Sequence, residues 1–178
     1  LGIMLMKGQG TDQAISEGLG LVERAGEAGN VDAQLRLSDW YYFGADGVDK
    51  DRKKAAKWVK LAAASGDRWA QQLWGNMVEW GEGGVEPDRL EALAWYRKAA
   101  EQGETKAQSS LGRILAGMTG EHDEIEAYAW LRLSAEQGEQ TAINYLKELS
   151  EGLSDEKIEA GNRLLEKKKA AIGSQSKK

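Results

Sequence analysis

The chain has 178 residues, with 24 Lys+Arg against 29 Asp+Glu, one His, no Cys, 22 Gly and one Pro. The absence of Cys excludes a disulfide framework, a thiolate metal site and a cysteine nucleophile, and the single His122 excludes a multi-histidine zinc site. A net charge of −5 argues against the cationic stripe that nucleic-acid binding requires, so no nucleic-acid partner is expected.

In chain order, residues 1–6 are apolar but Lys7 ends the run, which is too short for a secretory signal and lacks a basic segment before it. No run of 18 apolar residues exists, so no membrane span is expected. The first residue is Leu rather than Met, and the chain is expected to be a piece of a longer one. Gly18, Leu21, Ala25 and Gly29 suggest a helix ending in glycine, and Ala33, Leu37 and Tyr41 begin the next at four-residue spacing. A Gly44–Gly47 loop then leads to Asp51, placed as N-cap of an amphipathic helix through Ala55, Trp58 and Ala62 that closes at Gly66. The same succession returns with Ala70, Trp74 and Val78, a loop from Gly81 to Gly84, and Asp88 as the next cap. It returns again with Ala107, Leu111 and Leu115, a loop two residues shorter that holds His122, and Asp123 as the third cap. Beyond Ala142 two helices are expected, over 142–151 and from Asp155 to about Ala171, with Lys167, Lys168 and Lys169 as a solvated helix end. Residues 173–178 read as a frayed polar tail.

These elements are periodic. Gly29, Gly66, Gly103 and Gly138 recur, and Ala33, Ala70, Ala107 and Ala142 follow each of them by the same interval. Trp58, Trp95 and Trp130 form another column, with Leu21 in the corresponding earlier place, as do Asp51, Asp88 and Asp123. Several columns sharing one period of 35–37 residues are the signature of a repeat protein, and the Trp column is expected to be core.

The unit running from Ala70 through Trp74, Gly75, Gly81, Gly84 and Asp88 to Ala92, Trp95, Ala99, Ala100 and Gly103 resembles the Sel1-like repeat family, relatives of the tetratricopeptide repeats. Ser38, where Gly75 and Gly112 occupy the column, and the shortened third loop depart from the pattern. The resemblance implies an all-α, right-handed superhelical solenoid of about ten helices. Its expected organisation is a truncated repeat over 1–30, repeats over 31–66, 67–103 and 104–138, capping helices over 139–172 and a disordered tail over 173–178. It also implies a concave face lined by the first helix of each pair, and a periplasmic or secreted location, with the cytoplasm also open. Antibiotic binding, linked to cysteine-rich relatives, does not carry over to a chain without Cys.

On that face the aligned columns vary where the framework columns do not, and Asp39, Tyr42, Phe43, Asn76, Glu79, Trp80 and Arg113 are the expected partner-binding residues. Trp69 stands alone in a polar column with Asp32, Lys106 and Thr141, as a surface anchor or a local staple. The expected function is a non-enzymatic scaffold or adaptor that binds a partner protein or peptide, with no metal and no cofactor. The alternatives are a cell-wall-related enzyme or small-ligand binder, and an oligomerisation module working through apolar Ile3, Met4 and Met6. His122 beside Glu121, Asp123 and Glu124 is too sparse a set for a catalytic constellation.

Overall fold

The computed structural model describes residues 12–45, 47–118 and 120–175. The expectations for residues 1–8, including the self-association surface at Ile3, Met4 and Met6, lie outside the described residues. Among the described residues there are nine α-helices: α1 Asp12–Glu27, α2 Val31–Phe43, α3 Arg52–Ala64, α4 Arg68–Trp80, α5 Arg89–Glu101, α6 Thr105–Ala116, α7 Glu121–Glu136, α8 Gln140–Gly152 and α9 Asp155–Gln175. A single 3₁₀ turn, Glu82–Gly84, follows α4. The chain forms two compact units, the first ending at Ala92 and the second beginning at Leu93.

The periodic glycines do the same local work four times. Gly29, Gly66, Gly103 and Gly138 have φ of 88°, 96°, 87° and 85°, a left-handed conformation that costs a residue with a Cβ about 1–2 kcal/mol. Each donates to a carbonyl three residues back, and the next residue donates to the carbonyl five back, as in Asn30 to Ala25 and Asp67 to Ala62. This pair of bonds satisfies the last carbonyls of one helix and stops it. The residue after each glycine is at once the N-cap of the next helix. Asn30 accepts from the Ala33 N–H at 2.8 Å, Asp67 from Ala70 at 2.7 Å and Glu139 from Ala142 at 2.6 Å. A glycine and a cap are therefore enough to turn the chain between helices.

The longer connections close differently. Asp51 Oδ1 accepts from the Lys53 and Lys54 N–H groups, and Asp88 Oδ1 from Leu90 and Glu91. Gly83 needs its missing side chain for close approach as well as for its φ of 69°, since a Cβ there would lie 2.6 Å from the Arg52 carbonyl and 2.7 Å from Ala56 Cβ. The third connection corrects the sequence reading. Its helix begins at Glu121 with Gly120 as N-cap, so Asp123 lies in the first turn instead of capping it, and His122 is helical rather than in a loop. With two residues fewer in the connection, the helix start moves back along the chain.

In the first unit, Val22, Ala33, Leu37, Tyr41, Val48, Ala55 and Trp58 form one buried cluster. Gly26 lies under Trp58 so closely that a Cβ would come within 2.8 Å of the indole. In the second unit, Ala107, Leu111, Ile114, Leu115 and Trp130 are buried, and Gly112 lets α6 approach α7 against Leu131. The Trp column is buried at Trp58 and Trp130, whereas Trp95 is half-buried with the Lys98 ammonium 3.9 Å from its ring centre.

A glutamine column escaped the sequence reading. Gln34, Gln71 and Gln108 are buried, and the side-chain amide of each donates to a carbonyl eight residues earlier: Gly26, Ala63 and Ala100. Each glutamine thus bonds the closing end of one helix from the body of the next. Such an amide, buried without its partner, would cost about 1–3 kcal/mol.

Candidate protein-interaction surface

The first unit carries a pocket of about 230 Å³ between α2 and α4, with α3 behind it. Asp39, Tyr42 and Phe43 line it from α2, Val59 from α3, and Trp69 and Leu73 from α4, with the buried Ser38 also in the wall. Phe43 and Asp39 are exposed because they occupy the turn face opposite Leu37 and Tyr41, which are buried in the core. Phe43 is 66% exposed and Trp69 42% exposed, so both present aromatic surface at the pocket.

The pocket's polar groups differ in how far they are already engaged. Ser38 donates its hydroxyl to the Leu35 carbonyl at 2.7 Å. The Tyr42 hydroxyl donates to Glu82 at 3.3 Å, its ring centre lies 3.6 Å from the Arg52 guanidinium, and Phe43 meets its edge at 4.8 Å. Arg52 and Glu82 in turn approach to 3.9 Å. Tyr42 is thus tied to the 3₁₀ turn and to α3 as much as it faces the pocket. Asp39 has its pKa raised, chiefly by burial, which outweighs the pull of Arg36 one turn earlier on α2.

The structure therefore brings together four of the expected residues: Asp39, Tyr42, Phe43 and Trp69. Asn76, Glu79 and Trp80 are on α4 but do not line this pocket; Trp80 is 66% exposed and the other two are half-buried. Arg113 is half-buried on α6, in the second unit. Val59 and Leu73 were missed. Leu73 had a signal, since Arg36 and Ser110 flank it in an otherwise polar column, the same kind of exception as Trp69.

In the second unit the lysine run is not a solvated helix end. The helix α9 continues to Gln175, past the expected limit at Ala171 and through three residues of the expected disordered tail. The side chain of Lys168, 14% exposed, bonds Glu126 at 3.2 Å and lies 3.8 Å from the Trp130 ring centre. Arg97 forks onto both carboxylate oxygens of Glu126, with Nη2 to Oε2 at 2.9 Å, and the Trp130 indole N–H adds a bond at 3.2 Å. Burial alone would raise the Glu126 pKa, but the Arg97 hydrogen bond and the charges of Arg97 and Lys168 bring it down to about 2. Lys157 to Glu124 and Lys169 to Glu136 extend this contact along α7 and α9, while Gly161 seats against Tyr128. These lysines hold α9 on α7. A pocket of about 270 Å³ beside them has Lys167, Lys168 and Trp130 in its wall.

The Sel1 repeat model matches residues 1–30, 31–67, 70–104 and 105–139. The chain belongs to the Sel1 repeat family. Sel1 repeat proteins are typically non-catalytic scaffolds and protein-interaction modules, built as helical repeat solenoids. Among solved structures, the chain is similar to a Sel1 repeat protein from Oxalobacter formigenes, at 30% identity and a TM-score of 0.61, over 73% of this chain and 97% of that one. It is also similar to c5321, a protective antigen of uropathogenic Escherichia coli strains that displays the SLR fold, at 27% identity and a TM-score of 0.61. That match covers 99% of this chain and 47% of c5321, so the chain spans about half of that relative's length. No curated protein matches. The helices α8 and α9 lie beyond the matched repeats, and the glutamine column lapses there, with Ile143 at the place one residue after Ala142. No helix among the described residues is long and apolar enough to cross a membrane.

Proposed function

We propose that this chain is a non-enzymatic interaction module that holds a peptide segment of a partner protein on the surface shared by α2 and α4. The observation that carries this reading is the pocket walled by Phe43, Trp69 and Leu73, with two large aromatic side chains exposed at it. Exposed aromatics on rigid helices bind with little ordering cost, and they dominate interface energetics. At about 230 Å³ the pocket is smaller than the roughly 300–1,000 Å³ typical of small-molecule sites, and its size suits a single side chain of a larger partner. Recognition is favoured over catalysis because the pocket's lining is chiefly aromatic and aliphatic, with Asp39 as its one acidic lining residue.

The test is selection of binding peptides from a displayed library, followed by calorimetric titration against wild type, Phe43→Ala and Trp69→Ala. Either substitution is expected to weaken the selected peptides by about tenfold or more, with helix content unchanged. Selected peptides that bind both variants as tightly as wild type would refute this placement of the surface. Phe43 and Trp69 are the cleaner probes, because Tyr42→Ala would also release Arg52 and Glu82.

A further inference from the structure

The pocket between α2 and α4 holds a group that an apolar ligand would leave unused. Asp39 is its one acidic lining residue, at the edge of an otherwise chiefly apolar wall, and its side chain is exposed and without an ion-pair partner among the described residues. The charge acting on it is Arg36, three residues back on the same helix, and burial outweighs that pull. The other polar groups in the wall are engaged within the protein: Ser38 with the Leu35 carbonyl, and the Tyr42 hydroxyl with Glu82. A carboxylate set among aromatic rings is the complement of a cation on an apolar stem, which gains from both the charge and the ring faces. The same cluster already contains one such arrangement, since the Arg52 guanidinium sits 3.6 Å from the Tyr42 ring centre with Glu82 at 3.9 Å. The net charge of −5 also favours encounter with a basic segment.

We infer that the pocket accepts a Lys or Arg side chain from a partner protein's peptide segment, its methylene stem against Phe43, Trp69 and Leu73 and its cation at the Asp39 carboxylate. This rests on the interaction role proposed above and names the chemistry of the partner. Asp39 then acts as the selector, and the aromatic walls supply contact area that any apolar stem would share. A neutral side chain of the same shape forgoes the ion pair and leaves the carboxylate partly desolvated with nothing in return.

The experiment titrates the isotopically labelled chain with three capped pentapeptides, alanine-flanked at a central Arg, citrulline or Leu, to about 10 mM, the range of weak single-residue contacts. The Trp69 indole N–H and the Asp39 and Phe43 amides report binding in the nuclear magnetic resonance spectrum. The Arg peptide is expected to shift these signals saturably, about tenfold more tightly than the citrulline peptide, and Asp39→Asn is expected to remove that advantage. Citrulline or Leu peptides that bind as tightly as Arg, with the binding lost in Trp69→Ala, would overturn the cation assignment while the interaction surface stands. Absence of any shift at these three residues with all peptides would overturn both.

Discussion

Glu126→Gln tests whether the ionic cluster between α5, α7 and α9 holds the second unit together. In the native chain the carboxylate is 13% exposed and meets Arg97, Lys168 and the Trp130 indole. Lowering its pKa from 4.5 to about 2 corresponds to about 3 kcal/mol of stability, at 1.36 kcal/mol per unit. Lys168 works in the other direction: its pKa is lowered because burial outweighs the attraction of Glu126, so the cluster includes a cation that becomes a liability once the carboxylate is neutral. Glutamine keeps the shape and removes the charge, leaving Arg97 and Lys168 facing a neutral amide. The expected loss is about 3 kcal/mol, a fall of about 1–3 M in the urea midpoint for ordinary slopes of roughly 1–3 kcal/mol/M. Hydrogen exchange should place the loss in α9. Because the folded pKa is depressed, the advantage of wild type over the variant is fully present above pH 4.5 and is lost as pH falls through about 2. A loss below about 1 kcal/mol, or a gap between the two proteins that stays constant from pH 5 to pH 2, would refute the reasoning.

Gly66→Ala should cost about 1–2 kcal/mol in thermal or urea unfolding from backbone strain alone, since φ is 96° and a Cβ there meets nothing within 4 Å. Gly112→Ala acts by a different route: φ is not at issue, but a Cβ would lie 2.6 Å from Leu131 Cγ and 3.1 Å from its backbone nitrogen, and about 1–3 kcal/mol of overpacking is expected by the same measurement. Gln108→Leu should cost about 1 kcal/mol, the net worth of its bonds to the Ala100 carbonyl, which keeps the Gly103 N–H, and from the Gln137 amide, which keeps the Leu133 carbonyl; a neutral result in urea unfolding would show that the glutamine column is incidental. Asp51→Ala should lose about 1 kcal/mol by removing the acceptor for the Lys53 and Lys54 N–H groups, and Asp51→Asn should restore most of it.

The helices and their turns were legible because they rest on local rules. A glycine that must be left-handed and an aspartate that must cap leave their mark at a fixed place in every repeat, and the structure uses Gly29, Gly66, Gly103 and Gly138 alike. The rule failed at Asp123, where a connection two residues shorter moved the helix start to Glu121, because loop length outranked the identity of a capping residue. The glutamine column was visible as a period but not as a function, since its bond reaches a carbonyl on the preceding helix.

Part of the interaction surface could be anticipated from α2, where Asp39, Tyr42 and Phe43 stand opposite the buried Leu37 and Tyr41 on one helix. That Trp69 and Leu73 complete the same pocket depended on how α4 lies beside α2, which no periodicity within either helix specifies. The lysine run shows the same division more sharply. Lys167, Lys168 and Lys169 look alike in the chain, yet Lys168 is largely covered against Glu126 and Trp130, Lys169 pairs with Glu136, and Lys167 is exposed. The closing glycines and the caps of the longer turns act on backbone groups within a few residues of them, so a linear reading reaches them wherever the connection keeps its usual length. The sharing of a carboxylate by Arg97 and Lys168, and the gathering of Asp39 with Trp69, follow from the packing of helices distant in sequence, and three-dimensional proximity alone distinguishes a held charge from a solvated one.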